Sequence, residues 1–290
     1  MRRMIRNLAV VFPHGGFKVT DVPQSEGDAL IWLYKNTNGP NWTNNTNWLQ
    51  THTVGNWFGV TVAGGHVTVV NLNTNNLIGN IGAFPVHNLP SLTTLYFHSN
   101  AGLSGNIGGW ALPATLRFLH LFITSLSGNI GGWALPAALT QMGLYNTGVS
   151  GDIGGWTLPA SLVWLYLYNT SLSGDIGGWT LPTSLIYLHI YSTSLSGTPD
   201  ISGNTGMRDY RFDACALIQA NVDAILLSVY NRRMAFIFAT PALKIGGSDA
   251  APSGLYQAAC PPTTGKEYAY ELVNDSCLDG FNKWTVAFTA

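Results

Sequence analysis

The sequence predicts a β-rich solenoid of the α/β type, with a helical N-terminal cap and an irregular C-terminal cap. Three observations carry that expectation. First, a 23-residue block repeats in tandem: Ser-Gly-(Asn/Asp)-Ile-Gly-Gly-Trp-(Ala/Thr)-Leu-Pro starts at Ser104, Ser127, Ser150 and Ser173, and Ser196-Gly197 keeps the spacing. Self-similarity at a fixed period of roughly 20–50 residues marks a solenoid. Second, leucines inside each block alternate with other residues, as Leu119 and Leu121 do with Phe118, His120 and Phe122. Period two is a short strand with its leucines on one face. Third, no single block can bury its leucines alone, so neighbours must stack and the ends need caps.

One copy reads Leu116-x-x-Leu119-x-Leu121-x-x-Thr124-x-Leu126-x-Gly128-x-Ile130. This resembles the leucine-rich repeat, L-x-x-L-x-L-x-x-N-x-L, in its plant-type L-x-G-x-I variant, from Val67 to about Leu217. The resemblance implies a horseshoe or superhelix with a parallel sheet on the concave side. The family's ladder asparagine stands at Asn75 and Asn100 but is replaced by Thr124, Thr147, Thr170 and Thr193. A hydroxyl offers fewer donors than an amide. Cys215 takes the same slot in a degenerate sixth repeat.

Residues 1–24 read as an extended N-terminal arm, with Gly15-Gly16 and Pro23 as breakers. The N-terminal cap spans 25–66. Ser25, with Asp28 three residues later and an apolar run behind, is a helix start. The stretch Gly55-Asn56-Trp57-Phe58-Gly59-Val60-Thr61-Val62 resembles the cap motif Cys-x-Trp-x-Gly-Val-x-Cys, with Gly55 and Val62 where that family has cysteines. Repeats occupy 67–206, with a longer stretch at Ala83–Asn88 expected to bulge on the convex side. Degenerate repeats and the C-terminal cap fill 207–290. There Asn221 is the expected N-cap of a helix burying Val222, Ile225, Leu226 and Val229. Leu243-Lys-Ile245 and Trp284–Phe288 are expected strands. This tail resembles the C-terminal caps of bacterial, phage and metagenomic leucine-rich repeat proteins.

The chain has 290 residues, 46% of them apolar, and only 9% charged, with a formal net charge of −1. The usual charged share is about 25%. From residue 99 to 199 only Arg117, Asp152 and Asp175 are charged. Such a surface cannot neutralise a phosphate backbone, which argues against nucleic-acid binding. No run of 18 apolar residues exists, so no membrane insertion is expected. The apolar run before Pro13 is shorter than a secretory signal requires, so no signal peptide is visible. Cys260 and Cys277 are open to pairing or to remaining free thiols; the odd cysteine count favours buried thiols. Asn41, Asn44, Asn169 and Asn274 each begin a glycosylation sequon.

The residues between the leucines form columns. Five central strands contribute Thr94, Tyr96, His98; Phe118, His120, Phe122; Gln141, Gly143, Tyr145; Trp164, Tyr166, Tyr168; and Tyr187, His189, Tyr191. All but three of these are aromatic or histidine. One reading is strand propensity and sheet stabilisation. The favoured one is a binding face, since contiguous apolar area marks interaction sites and tyrosine and tryptophan dominate hot spots. A second stripe, Trp110, Trp133, Trp156 and Trp179, is expected to pack behind the sheet, with an outer contact stripe as the alternative. Asn106, Asn129, Asp152 and Asp175 share one turn position and read as hydrogen-bonding turn residues rather than a calcium row.

No catalytic signature or metal motif is present. His98 and His120 face each other diagonally, but two histidines without a third ligand make a poor zinc site. The expected function is non-enzymatic recognition or adhesion, without cofactors, binding a glycan or protein at a bacterial cell or phage surface. The alternative is a self-assembling structural subunit, a homo-oligomer or filament such as a fibre, sheath or virion component.

Overall fold

The computed structural model describes residues 16–232, 242–246, 251–254, 262, 264–274 and 285–289. Among these, a ten-stranded sheet takes its strands in chain order: Val60–Ala63, His66–Asn71, Thr94–Tyr96, Phe118–His120, Gln141–Gly143, Trp164–Tyr166, Tyr187–His189, Asp209–Arg211, Ala242–Gly246 and Thr285–Thr289. The first pair is antiparallel. Every later pair is parallel. A second sheet of six strands runs from Gly79–Asn80 through Asn100–Asn106, Thr124–Asn129, Gly148–Asp152 and Ser171–Asp175 to Ser194–Ser196.

Register follows the repeat. Leu95, Leu119, Met142, Leu165 and Leu188 pair across neighbouring strands, and each is fully buried. Their alternation with the ring-bearing positions sends one set of side chains inward and the other outward. The isoleucines of each turn, Ile107, Ile130, Ile153 and Ile176, are also fully buried.

The four turn tryptophans belong to this core. Trp110, Trp133, Trp156 and Trp179 are 6%, 6%, 5% and 1% exposed, so they do not form an outer contact stripe. In each turn the backbone amide of the tryptophan donates to the carbonyl of the isoleucine three residues back, at 2.9–3.0 Å. That closure keeps the indole over the core. Phe84 occupies the equivalent place in the first repeat, 5.9 Å from the Trp110 ring. The longer Ala83–Asn88 stretch turns two of its side chains into the core. It folds as a 3-10 turn over Val86–Asn88, with Phe84 and Val86 buried.

The Asn/Asp row forms Asx turns. Asn106, Asn129, Asp152 and Asp175 each accept from the amide two residues on, at 2.8–2.9 Å. A Cβ on Gly128 would fall 2.0 Å from Asn106 Oδ1, and Gly128 has φ +116°. The Ser-Gly of each block is thus demanded by the turn of the preceding coil.

The ladder positions behave differently by residue type. Asn100 accepts from the Asn75 and Leu77 amides and donates to the Leu72 and Phe97 carbonyls, which ties two coils together. Thr124, Thr147, Thr170 and Thr193 each donate to the carbonyl three residues back, at 2.5–2.7 Å, and Thr193 also meets Cys215 Sγ of the next coil at 3.6 Å. Cys215 restores a link between coils by donating to the Ile190 carbonyl at 3.2 Å.

Helix α1 runs Gln24–Asn36 with Pro23 at its N-cap and no side-chain cap, so Ser25 is not the cap. The acid beside it acts elsewhere. Buried Glu26 accepts from His66 Nδ1 at 2.6 Å and from the Val67 amide at 2.7 Å. That pins the helix to the first repeat strand. The described part of the arm is extended and docked, with Phe17 stacked on His52 at 4.8 Å. Trp42, Trp48 and Trp57 form one cluster at 4.8–4.9 Å. Each indole donates to a backbone carbonyl at 2.8–2.9 Å.

Helix α2 runs Gln219–Arg232 and buries Val222, Ile225, Leu226 and Val229. Asn221 is inside it rather than capping it; its side chain reaches back to the Ile218 amide at 3.3 Å. Helix α3, Gly265–Asn274, is an element that the repeat pattern does not predict. It packs on α2 through Tyr230 and Tyr268, 5.5 Å apart. Cys260, Cys277 and Trp284 lie outside the described residues.

Candidate functional site: the ring-bearing face

The outward positions of the ten-stranded sheet form two adjacent ring columns. In the first, His98, Phe122, Tyr145, Tyr168 and Tyr191 stack at centroid distances of 4.3, 4.3, 4.4 and 4.4 Å, with interplanar angles of 9–14°. One end is closed over the ring face, and the other is tethered at the ring edge. The Arg211 guanidinium carbon sits 4.3 Å over the Tyr191 ring, and the Asn73 amide donates to His98 Nε2 at 3.2 Å. The arrangement follows from strand spacing: rings one coil apart lie close to stacking distance when they share a rotamer.

The second column holds Tyr96 on His120 at 4.2 Å and Tyr166 on His189 at 4.5 Å. Gly143 leaves a gap between these pairs, and the Trp164 indole leans into it. Its ring lies 4.6 Å from His120 and 4.7 Å from Tyr166. His189 Nε2 meets Asp209 Oδ2 at 3.0 Å. Phe118 and Tyr187 share the face but join no ring stack among the described residues; Arg117 lies 5.8 Å over Phe118. His98 and His120 are 6.0 Å apart and tilted, each stacked on a different neighbour. No group of three or more metal-ligating side chains occurs among the described residues.

Two properties of the face follow. Most rings are half-buried, and burial disfavours the charged form of His98, His120, Tyr96, Tyr145, Tyr166, Tyr168 and Tyr191. Burial first, then the neighbouring His98, lowers the His120 pKa to about 4. Burial lowers His98 as well. Burial, then Tyr187, Asp209 and Tyr145, pushes Tyr166 up to about 12. Burial also raises Tyr96, Tyr145, Tyr168 and Tyr191. The second property is geometric. In the five-ring column the interior rings Phe122, Tyr145 and Tyr168 are covered on both faces by their neighbours, so that column presents edges and hydroxyl tips. A sugar ring seeking an open aromatic face finds none inside it.

Of the twelve candidate residues named from sequence spacing, ten meet in these stacks, and Phe118 and Tyr187 do not. Sequence spacing missed Asn73; it placed Gly143 in the columns without foreseeing the gap that Trp164 fills, and it placed Arg211 at the end of the apolar stripe without foreseeing its stacking on Tyr191. Asn73 and Gly143 carry no aromatic signal, and the reach of Arg211 is a rotamer property.

The buried leucine column, one strand per 23-residue block and the parallel register are now all in place. The chain folds as a leucine-rich-repeat solenoid. No family model matches it, and no curated protein matches it. Similar solved structures include a pollen receptor kinase 3, at 21% identity and TM-score 0.42, covering 80% of this chain and 99% of that one. The BIR2 ectodomain from Arabidopsis thaliana is similar at 19% identity and TM-score 0.40, covering 68% of this chain and 95% of that one. A plant ice-binding protein is similar at 16% identity and TM-score 0.29, covering 69% and 89%. At these scores the likeness carries no argument about function.

Proposed function

We propose that this solenoid is a non-enzymatic recognition module that binds a protein partner across its ring-bearing face. The observation that carries the proposal is the five-ring ladder from His98 to Tyr191, closed at one end by Arg211. Rigid rings lose little entropy on binding, and tyrosine presents a large apolar body with a polar tip. Protein is preferred to glycan because the ladder offers edges and hydroxyls rather than open ring faces. The same role placed at a cell or virion surface fits the resemblance of the C-terminal tail to the caps of bacterial, phage and metagenomic leucine-rich repeat proteins.

Panning the full chain against a random peptide library and a glycan array tests this. Peptide binders are expected, with affinity lost in the combined Tyr145→Ala, Tyr168→Ala, Tyr191→Ala variant while its far-UV circular dichroism is retained. Binding unchanged in that variant would exclude this face. The neutral, apolar face also supports a second reading, homotypic assembly. A large oligomer in light scattering, dispersed by the same variant, would favour it.

A further inference from the structure

Beside the ladder runs a column of left-handed residues: Thr74, Ser99, Ile123, Asn146, Asn169 and Ser192, with φ between +50° and +59°. The fold imposes this conformation, because each amide donates to a carbonyl of the next coil, as Ile123 does to Tyr145 at 3.2 Å. Asparagine tolerates the left-handed region through its short polar side chain. A β-branched residue there is an outlier. Ile123 is the one large apolar member, and it is 43% exposed. It therefore carries backbone strain without the burial that would offset it. The conformation belongs to the fold, but the choice of an exposed isoleucine for it does not.

A second exposed isoleucine stands on the same side of the solenoid. Ile78 is 47% exposed and lies against Gly102, where a Cβ would meet Ile78 Cγ1 at 2.8 Å. It borders an open groove of about 360 Å³ that also includes Thr74, Ser99 and Asn100. Ser99 joins this groove to the ladder, since its amide donates to the Phe122 carbonyl at 2.9 Å, one residue before Ile123. None of the residues lining the groove is charged.

We infer that partner contact extends from the ladder over this one rim, with Ile123 and Ile78 as apolar anchors for an uncharged, apolar stretch of the protein partner. The inference rests on the binding role proposed above for the ring-bearing face. Charge matching selects the occupant. The groove lining offers a charged side chain no counter-ion for the water it would lose, so an uncharged occupant fits it better. The opposite end of the ladder, at Arg211, Asp213 and Lys244, carries ion pairs and offers no such preference.

The test uses the full chain and a phage-displayed library of random peptides, with enriched clones remade as synthetic peptides. Enriched peptides are expected to carry aliphatic or aromatic residues and to lack Asp, Glu, Lys and Arg. Ile123→Asn and Ile78→Asn should each weaken them by about tenfold, equivalent to ~1.4 kcal/mol. The Ile123→Asn melting temperature should be equal to or above that of the wild type. Wild-type affinity in both isoleucine variants, charge-rich selected peptides, or no enrichment would each overturn the inference. Should the combined tyrosine variant lose binding while the isoleucine variants keep it, the rim fails and the face stands. Should only the isoleucine variants lose binding, the continuity between rim and ladder is contradicted. Should neither set matter, the face reading fails as well.

Discussion

The Trp164 indole fills the space above Gly143: a Cβ built on Gly143 would lie 3.2 Å from Trp164 Cζ3 and 3.0 Å from Phe122 Cδ1. One glycine thus lets two ring columns interlock, because the indole crosses from its own column into the gap of the next. Gly143→Ala should push both rings aside and cost about 1 kcal/mol, the lower end for overpacking a close-packed site. Near-UV circular dichroism should lose intensity while the far-UV spectrum stays constant. A variant with both spectra and the melting temperature unchanged would show that the two rings are not interlocked.

The N-terminal cap retains the geometry of a disulfide without its cysteines. The Cβ position of Gly55 lies 3.4 Å from Val62 Cβ, close to the roughly 3.5–4.5 Å spacing of bridged cysteines. Gly55→Cys with Val62→Cys should oxidise spontaneously and stabilise the cap by ~2 kcal/mol from the closed loop. The check is the melting temperature with and without reductant. An unbridged pair of thiols under oxidising conditions would mean that the two positions are further apart.

Asn100 and the threonines that follow it should separate in energy. Asn100→Ala strands two buried amides and two carbonyls, and each unsatisfied buried group costs about 1–3 kcal/mol. A loss of ~3 kcal/mol or more is expected in urea unfolding. Thr147→Ala removes one local bond, for about 1 kcal/mol. Equal losses would contradict the assignment of inter-coil binding to Asn100.

Acid should loosen the ring face through His120. Its folded pKa is depressed from 6.5 to about 4, by burial first and then by His98. The unfolded chain therefore takes up a proton before the folded one does, and stability falls as pH drops from about 6.5 to about 4. His98 has the same sign. His120→Phe keeps the stack on Tyr96 and removes the titration. Its melting temperature should fall less across that window than that of the wild type; parallel curves would show that His120 is not responsible.

Much of the ring face is legible in the sequence for a physical reason. The leucine period and the 23-residue repeat fix the register, and register alone places Tyr96 beside His120 and Tyr145 beside Tyr168. Features set by distant partners are not legible. Glu26 sits one residue after a plausible N-cap, yet His66 and Val67, far along the chain, claim its carboxylate. Phe84 stands where later blocks have tryptophan, but the inserted Pro85–Asn88 turn hides the alignment. Ring orientation is also beyond the pattern, because the same alternation is compatible with open or stacked rings. That orientation separates a peptide-binding face from a sugar-stacking one.

The most direct measurement is a hydroxyl-radical footprint of the full chain with and without binders selected against no particular face. Protection concentrated on Tyr145, Tyr168 and Tyr191, and extending to Ile123, is the predicted result. Protection confined to the cap or to the side of the turn tryptophans, with these tyrosines equally oxidised in both states, would contradict the assignment of the ring ladder as the binding face.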